Sequence, residues 1–185
     1  RGQQQPPVEQ FPLRADFPVL ELLRVEGVSK RYGGVLALDR VDFDLRYGEV
    51  HALVGENGAG KSTLIKVLGG IVPRNEGRIV FEGQEVDYAR PLDALHAGIA
   101  IIHQELTMMP SLTVIENVFM GRMPQRLGVI NWGDLERRTR QAMATIDLHV
   151  DPYARVGDLT ISQRQMIEIA RALSVNAKLI IMDEP

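Results

Sequence analysis

Gly55-Glu56-Asn57-Gly58-Ala59-Gly60-Lys61-Ser62-Thr63 (GENGAGKST) is the stretch whose reading decides the fold. It fits G-x-x-x-x-G-K-[ST], a loop whose backbone N–H groups cradle the phosphates of a nucleotide. The glycines let the backbone curl so that successive N–H groups point at one anion. Lys61 adds a charge that reaches the β- and γ-phosphates, and the Ser62 hydroxyl is a ligand for Mg²⁺. A helix beginning here aims the positive end of its dipole at the same phosphates. The flanks agree with this reading. Val50–Val54 (VHALV) predicts a buried strand before the loop, and Leu64, Ile65, Val67 and Leu68 follow at helical spacing.

Farther along, IIMDEP places Asp183 at the end of an apolar strand, with Glu184 next to it. A carboxylate there holds Mg²⁺ directly or through water, and Glu184 is placed to orient or deprotonate an attacking water. Two adjacent acids at a strand end are common surface features, and it is the pairing with the upstream loop that gives them chemistry. No N-K-x-D guanine motif occurs, and the loop is not the G-x-G-x-x-G of protein kinases.

Between these motifs the chain alternates strand and helix. Leu20–Val28 and Val35–Leu45 read as strands joined by a turn at Gly33-Gly34, with Val41, Phe43 and Leu45 alternating with Asp42 and Asp44. Tyr47-Gly48 turns the chain toward the loop, and Arg78–Glu82 returns as a strand before Gly83. Pro91 opens a short helix to His96, Gly98 ends it, and Ile99–Ile102 (IAII) reads as a buried strand. Thr113 is a candidate cap for a helix over Val114–Met120, and Asp134 for one to about Asp147 with Leu135, Ala142 and Ile146 on one face. The region from about Leu106 to Asp158 is expected to be all-helical. Ser162 then precedes a helix with an apolar stripe of Met166, Ile169, Ala170 and Leu173, and Lys178–Met182 reads as a buried strand.

Composition excludes several classes. With 185 residues, 45% hydrophobic and 24% charged, the chain has material for one domain with a core and a subdomain. The net charge of −3 gives no argument for nucleic-acid binding. The absence of cysteine removes disulfide scaffolds, thiolate zinc sites and cysteine nucleophiles. No run approaches the ~18 apolar residues that span a bilayer. Residues 1–18 are rich in Gln and Pro without periodicity and are expected to form a disordered extension. Neither end of the sequence reads as a natural terminus.

The order of motifs resembles the ATP-binding cassette (ABC) ATPases. KRYGG contains Tyr32, where the resemblance implies an aromatic ring stacked on adenine; by itself a tyrosine there is more often a packing residue. GENGAGKST is the phosphate loop. IIHQE contains Gln104, which the resemblance makes a sensor of Mg²⁺ and the γ-phosphate; its place at the end of the IAII strand also favours function, since ligands meet open α/β sheets there. Leu159, Thr160, Ile161, Ser162 and Gln163 align with the signature L-S-G-G-Q, and IIMDEP supplies Asp183 and the catalytic Glu184. The resemblance covers about Val19 to Pro185. It implies a P-loop NTPase core of RecA-like α/β type, an antiparallel β subdomain and an inserted helical subdomain over about 106–158, incomplete at the C-terminus.

What the resemblance implies for the site is ATP and Mg²⁺ as ligands. Gly55 through Thr63, Tyr32, Gln104 and Asp183 would bind the nucleotide, and Ser62, Gln104 and Asp183 would hold the metal. Lys61, Gln104 and Glu184 would serve catalysis. Leu159–Gln163 would act in trans on ATP bound to a partner cassette. Two signature glycines are replaced, by Ile161 and Ser162, and a Cβ restricts backbone approach to an anion. Longer matches, such as VDFDLRYGEVHALVGENGAGKSTLIKVLGG and QRQMIEIARALS, are similar to the sugar-import branch, in which two cassettes lie in tandem. That implies import of a monosaccharide driven by ATP hydrolysis at the cytoplasmic face of the membrane. The partners would be a second cassette, permease subunits and a substrate-binding protein, with no nucleic acid. A nucleoside or other small-solute importer, a soluble ABC ATPase of DNA repair or translation, and a silent dimerising module are the alternatives. The stretch stops before the expected switch histidine and dimer-contact loop, so it is not expected to hydrolyse ATP alone. His51 and His103 receive no catalytic role. Met108 and Met109 are expected to make hydrophobic contacts, a permease helix being one candidate partner, and Trp132 to anchor the helical insertion.

Overall fold

The computed structural model describes residues 20–102, 108–126 and 129–183. The first layer is an antiparallel sheet. Strand β1 (Glu21–Tyr32) pairs with β2 (Val35–Arg46) on one side and with β3 (Glu76–Phe81) on the other, and β4 (Gln84–Val86) completes the order β2-β1-β3-β4. The β3–β4 hairpin closes on Glu82-Gly83, both in the left-handed region, with Phe81 opposite Gln84. This two-residue turn matches the twist of its strands. A bulge in β1 near Gly27 shifts the register between Val25 and Val28. There Gly77 of β3 crosses so closely that a Cβ would sit 2.5 Å from the Glu26 carbonyl.

Helix α1 (Lys61–Leu68) lays Leu64, Val67 and Leu68 against this sheet, where they join Leu23, Val28 and Phe81 in one core. Helix α2 (Pro91–Ala97) ends at Gly98, φ 105°, and leads into β5 (Ile99–Ile102). β5 pairs in parallel with β8 (Leu179–Met182), residue by residue from Ile99–Leu179 to Ile102–Met182. Both strands are short apolar runs, but the burial expected of them holds only at their starts: Ile99, Ala100 and Leu179 are buried, whereas Met182 is 43% exposed.

A second core gathers α3 (Val114–Val118), α4 (Trp132–Thr145) and α5 (Ile161–Leu173) around Ile115, Val118, Phe119, Leu135, Met143 and Ile167. The stretch between is not all-helical. A two-residue hairpin, β6 (Gln125–Arg126) with β7 (Val129–Ile130), and a bridge between Thr113 and Arg155 lie within it. Asn117 is buried. It accepts from the Met109 N–H at 2.8 Å and donates to the carbonyls of Met109 (3.1 Å) and Thr113 (2.9 Å), which fixes the turn before α3.

Several local expectations are corrected. Asn131, not Asp134, caps α4: its side chain accepts from the Asp134 N–H at 3.1 Å, and Asp134 sits in the first turn bonded to Arg137. Both residue types cap well, and the apolar Trp132 can enter the helix behind Asn131. Helix α5 begins at Ile161, because Thr160 caps it before Ser162 is reached. Its deepest positions are Ile167 and Ala170, whereas Met166, Ile169 and Leu173 are half-buried, so the buried stripe is rotated from the expected one. Glu168 and Ala172, also buried, face the side where α5 meets β5.

Candidate nucleotide site

The loop Gly55–Gly60 enters α1 through Gly60, which is left-handed at φ 92°. A side chain is excluded there, since a Cβ would meet the Ala37 carbonyl at 2.6 Å and Leu38 at 2.9 Å. The loop is thus seated on β2. Gly58 is also left-handed, φ 86°, with open space around its Cα. Within the loop the Ala59 N–H donates to the Glu56 carbonyl at 3.1 Å. The Lys61 ammonium folds over the loop and donates to the carbonyls of Gly55 (2.7 Å) and Glu56 (2.9 Å). Ser62 stands exposed in the first turn of α1, which has no acidic residue there, and Leu64 and Ile65 anchor the helix below.

Asp183 directly follows β8, and its N–H extends the parallel ladder by donating to the Ile102 carbonyl at 3.0 Å. Lys61 and Asp183 line one cleft of about 610 Å³, with Leu64, Leu53 and Ile181 among its apolar walls. Two motifs 122 positions apart are thereby brought to one opening, at the carboxyl end of a parallel strand where α/β proteins take their ligands.

The strand expected over Val50–Val54 does not form. The segment makes no ladder, and Val50 and Val54 are 100% and 88% exposed. An apolar run becomes a strand only where a neighbour completes its backbone hydrogen bonds. Among the described residues none lies alongside, and the cleft separates Glu49–Leu53 from β8. His51 packs edge-on against Phe43, ring centroids 4.9 Å apart, and bonds Glu49 at 3.0 Å, in keeping with a packing role.

Tyr32 ends β1 opposite Val35, two residues before the Ala37 carbonyl that abuts Gly60. It is 43% exposed, and the Lys30 ammonium lies 5.2 Å from its ring centroid. Gln104, His103 and Glu184 lie outside the described residues. In the signature stretch the side chains of Thr160 and Gln163 engage each other. The Thr160 N–H and hydroxyl donate to Gln163 Oε1 at 3.0 and 3.1 Å, and the Gln163 N–H donates to Thr160 Oγ1 at 3.2 Å. Ile161 and Ser162 are exposed at the helix tip, and Leu159 packs on the helical core. Met108 is buried in that core and offers no surface to a partner, whereas Met109 is exposed. Trp132 is 42% exposed and belongs to neither core, so it does not anchor the insertion.

Three residues of consequence carry little signal in the sequence. Lys30 and Asn75 brace the end of β1, and Arg122 joins two helices. Arg122 donates to the carbonyls of Val118 and Arg171 and to Ser174 Oγ. Burial, then the Arg171 and Arg138 charges, pull it down to about 10. It lines a second cleft, about 460 Å³, between α2, β5 and α5. The period-two spacing of Lys30 and Tyr32 along a strand was the one available signal.

A glycine loop with the phosphate-loop sequence, seated on an antiparallel sheet and opening a helix, with an acid at the end of a parallel strand on the same cleft, defines a P-loop α/β fold. Residues 38–185 match the model of the ABC transporter family. The chain belongs to that family. It is 53% identical over 165 residues to the ribose import ATP-binding protein RbsA 1 of Streptomyces avermitilis, and 48% identical over 164 residues to a putative ribose/galactose/methyl galactoside import ATP-binding protein of Burkholderia ambifaria. Each match covers 89% of this chain and 32% of the relative, so the chain spans about a third of the length of these curated relatives. Among solved structures it is similar to MJ1267, an ATP-binding cassette of an ABC transporter in its ADP conformation. The TM-score is 0.76 at 32% identity, over 89% of this chain and 69% of that one.

Proposed function

We propose that this chain is the nucleotide-binding part of an ATP-hydrolysing cassette that drives import of a monosaccharide. The observation that carries the reading is that Lys61 and Asp183 line one cleft. The names of the relatives, ribose and ribose/galactose import ATP-binding proteins, support the sugar as the cargo.

In this reading the loop N–H groups and Lys61 hold the β- and γ-phosphates, and Tyr32 meets the base. Ser62 and Asp183 would hold Mg²⁺, which supplies charge neutralisation on the phosphates. Among the described residues no three His, Cys, Asp or Glu side chains converge on a metal position. Mg²⁺ in nucleotide sites takes one or two protein ligands and the rest from phosphate and water, so a hydroxyl and one carboxylate fit it. Gln104 and Glu184 complete the set from the sequence, Glu184 orienting the attacking water and Gln104 bracing the metal side. Thr160–Gln163 cap the N-terminus of α5, and that end would face ATP on a second cassette carried by the same polypeptide.

Among the described residues no helix is long and apolar enough to cross a membrane. Passage of the sugar would therefore rest on permease subunits fed by a substrate-binding protein, with the cassette on the cytoplasmic face. The test is ATP-driven uptake of labelled ribose and galactose by the full-length protein assembled with its permease in vesicles. Glu184→Gln should retain ATP binding and lose hydrolysis by about a hundredfold or more. Uptake that proceeds without ATP, or normal turnover in Glu184→Gln, sinks the reading.

A further inference from the structure

We infer that Lys30 is the positioning residue for Tyr32, holding its ring at a set place relative to the phosphate loop. The inference rests on the reading that Tyr32 meets the base of the nucleotide.

Lys30 is a charged side chain only 8% exposed. Among the described residues no carboxylate pairs with it. Its ammonium donates to the Pro73 carbonyl at 2.6 Å and lies over the Tyr32 ring. Burying a cation is costly unless its surroundings repay the lost water. A methionine would fill the same space without that cost. What only a cation supplies here is attraction to the ring face and to one carbonyl.

The carbonyl matters because of where it is. Pro73 lies five residues beyond the end of α1, and α1 begins at the phosphate loop. The same segment grips β1 twice more. The Arg31 N–H donates to Asn75 Oδ1 at 2.7 Å, and the Asn75 N–H donates to the Ser29 carbonyl at 2.9 Å. On the other side of β1, Lys30 stands opposite Leu38, the residue that packs on Gly60. The ring and the loop are therefore referenced to each other from both sides: through β2 to Gly60, and through Lys30 to the exit of α1. A half-exposed tyrosine at a strand end otherwise has rotamer freedom that ligand binding would have to freeze.

The experiment compares ATP with inorganic tripolyphosphate, which has the phosphates and no base. Both are titrated calorimetrically into the full-length protein with Mg²⁺. Lys30→Met should weaken ATP about fivefold and leave tripolyphosphate within about twofold. Lys30→Arg keeps a cation over the ring and should recover most of the ATP affinity lost in Lys30→Met. In a Tyr32→Ala background, Lys30→Met should cost nothing further for ATP. Equal weakening of ATP and tripolyphosphate would mark Lys30 as a general fold residue and overturn the inference. So would a Lys30→Met penalty that persists without the ring. If Lys30→Met does not fold, Lys30→Gln takes its place in both titrations, and equal weakening of ATP and tripolyphosphate, or no weakening of either, overturns the inference. Should Tyr32→Ala leave ATP affinity unchanged, the reading of Tyr32 fails instead, and the two failures are told apart.

Discussion

The Lys61 ammonium donates to the Gly55 carbonyl at 2.7 Å, so the lysine of the phosphate loop also closes the loop it belongs to. Together with its bond to Glu56 it staples the first two residues of the loop to the first residue of α1. Lys61→Ala should weaken Mg²⁺–ATP binding by about tenfold or more, from the charge-assisted bonds it can no longer make. Titration of the full-length protein checks this, and an unchanged affinity refutes the phosphate-loop assignment.

Two glycines of the same loop should respond differently to alanine. Both Gly58 and Gly60 are left-handed, which costs an L-residue about 1 kcal/mol or more. Gly60 carries a second penalty, since its Cβ would overlap the Ala37 carbonyl. Gly60→Ala should lose about 3 kcal/mol of stability and displace the loop from β2, against about 1 kcal/mol for Gly58→Ala. Urea denaturation gives both numbers. Equal losses would mean that the contact with β2 relaxes at no cost.

The cap of α3 predicts a pH effect. Thr113 and Glu116 form a reciprocal box: the Thr113 N–H and hydroxyl donate to Glu116 Oε2 at 2.8 and 2.7 Å. These bonds, the hydroxyl's first, hold the Glu116 carboxyl below its ordinary value. A carboxyl with a depressed folded value contributes stability that is fully present above its unfolded value and is lost as pH falls through the folded one. Thr113→Ala should therefore cost about 1 kcal/mol at neutral pH and less in acid. Thermal melts across the carboxylate range test it; a penalty constant down to pH 2 would contradict it.

Arg122 ties the end of α3 to the end of α5 through three acceptors. Arg122→Ala leaves those acceptors short of a donor beside a cleft and should destabilise the protein by about 2 kcal/mol. The loss should appear as faster amide exchange at the C-terminal turn of α5, with α1 unaffected. A uniform change across both cores would deny Arg122 this local role.

The parts legible from the sequence are those with local causes. Gly33-Gly34, Gly98, Pro91 and the Thr113 cap set their turns and helix ends through neighbours within four residues, and the structure keeps each of them. The alternating 41–45 stretch reads correctly as a strand from its period, and the IAII and KLIIM runs do so because each has the other alongside, paired from Ile99–Leu179 to Ile102–Met182. Where two local choices were nearly equal, the sequence could not choose. Asn131 and Asp134 are both good cap residues, and the start of α4 at Asn131 is set by the fold.

The phosphate-loop motif is legible from sequence alone, because it rests on backbone freedom at Gly58 and Gly60 and on one lysine, all within nine residues. Whether an apolar run becomes a strand depended on a neighbour, and Val50–Val54 has none among the described residues. Tertiary structure also decided that Lys61 and Asp183 share a cleft, that Met108 is buried, and that Lys30 lies against Tyr32 and the exit of α1. Each of these joins residues through the packing of separate elements, and the energy that selects such a contact belongs to the whole core rather than to any stretch of sequence.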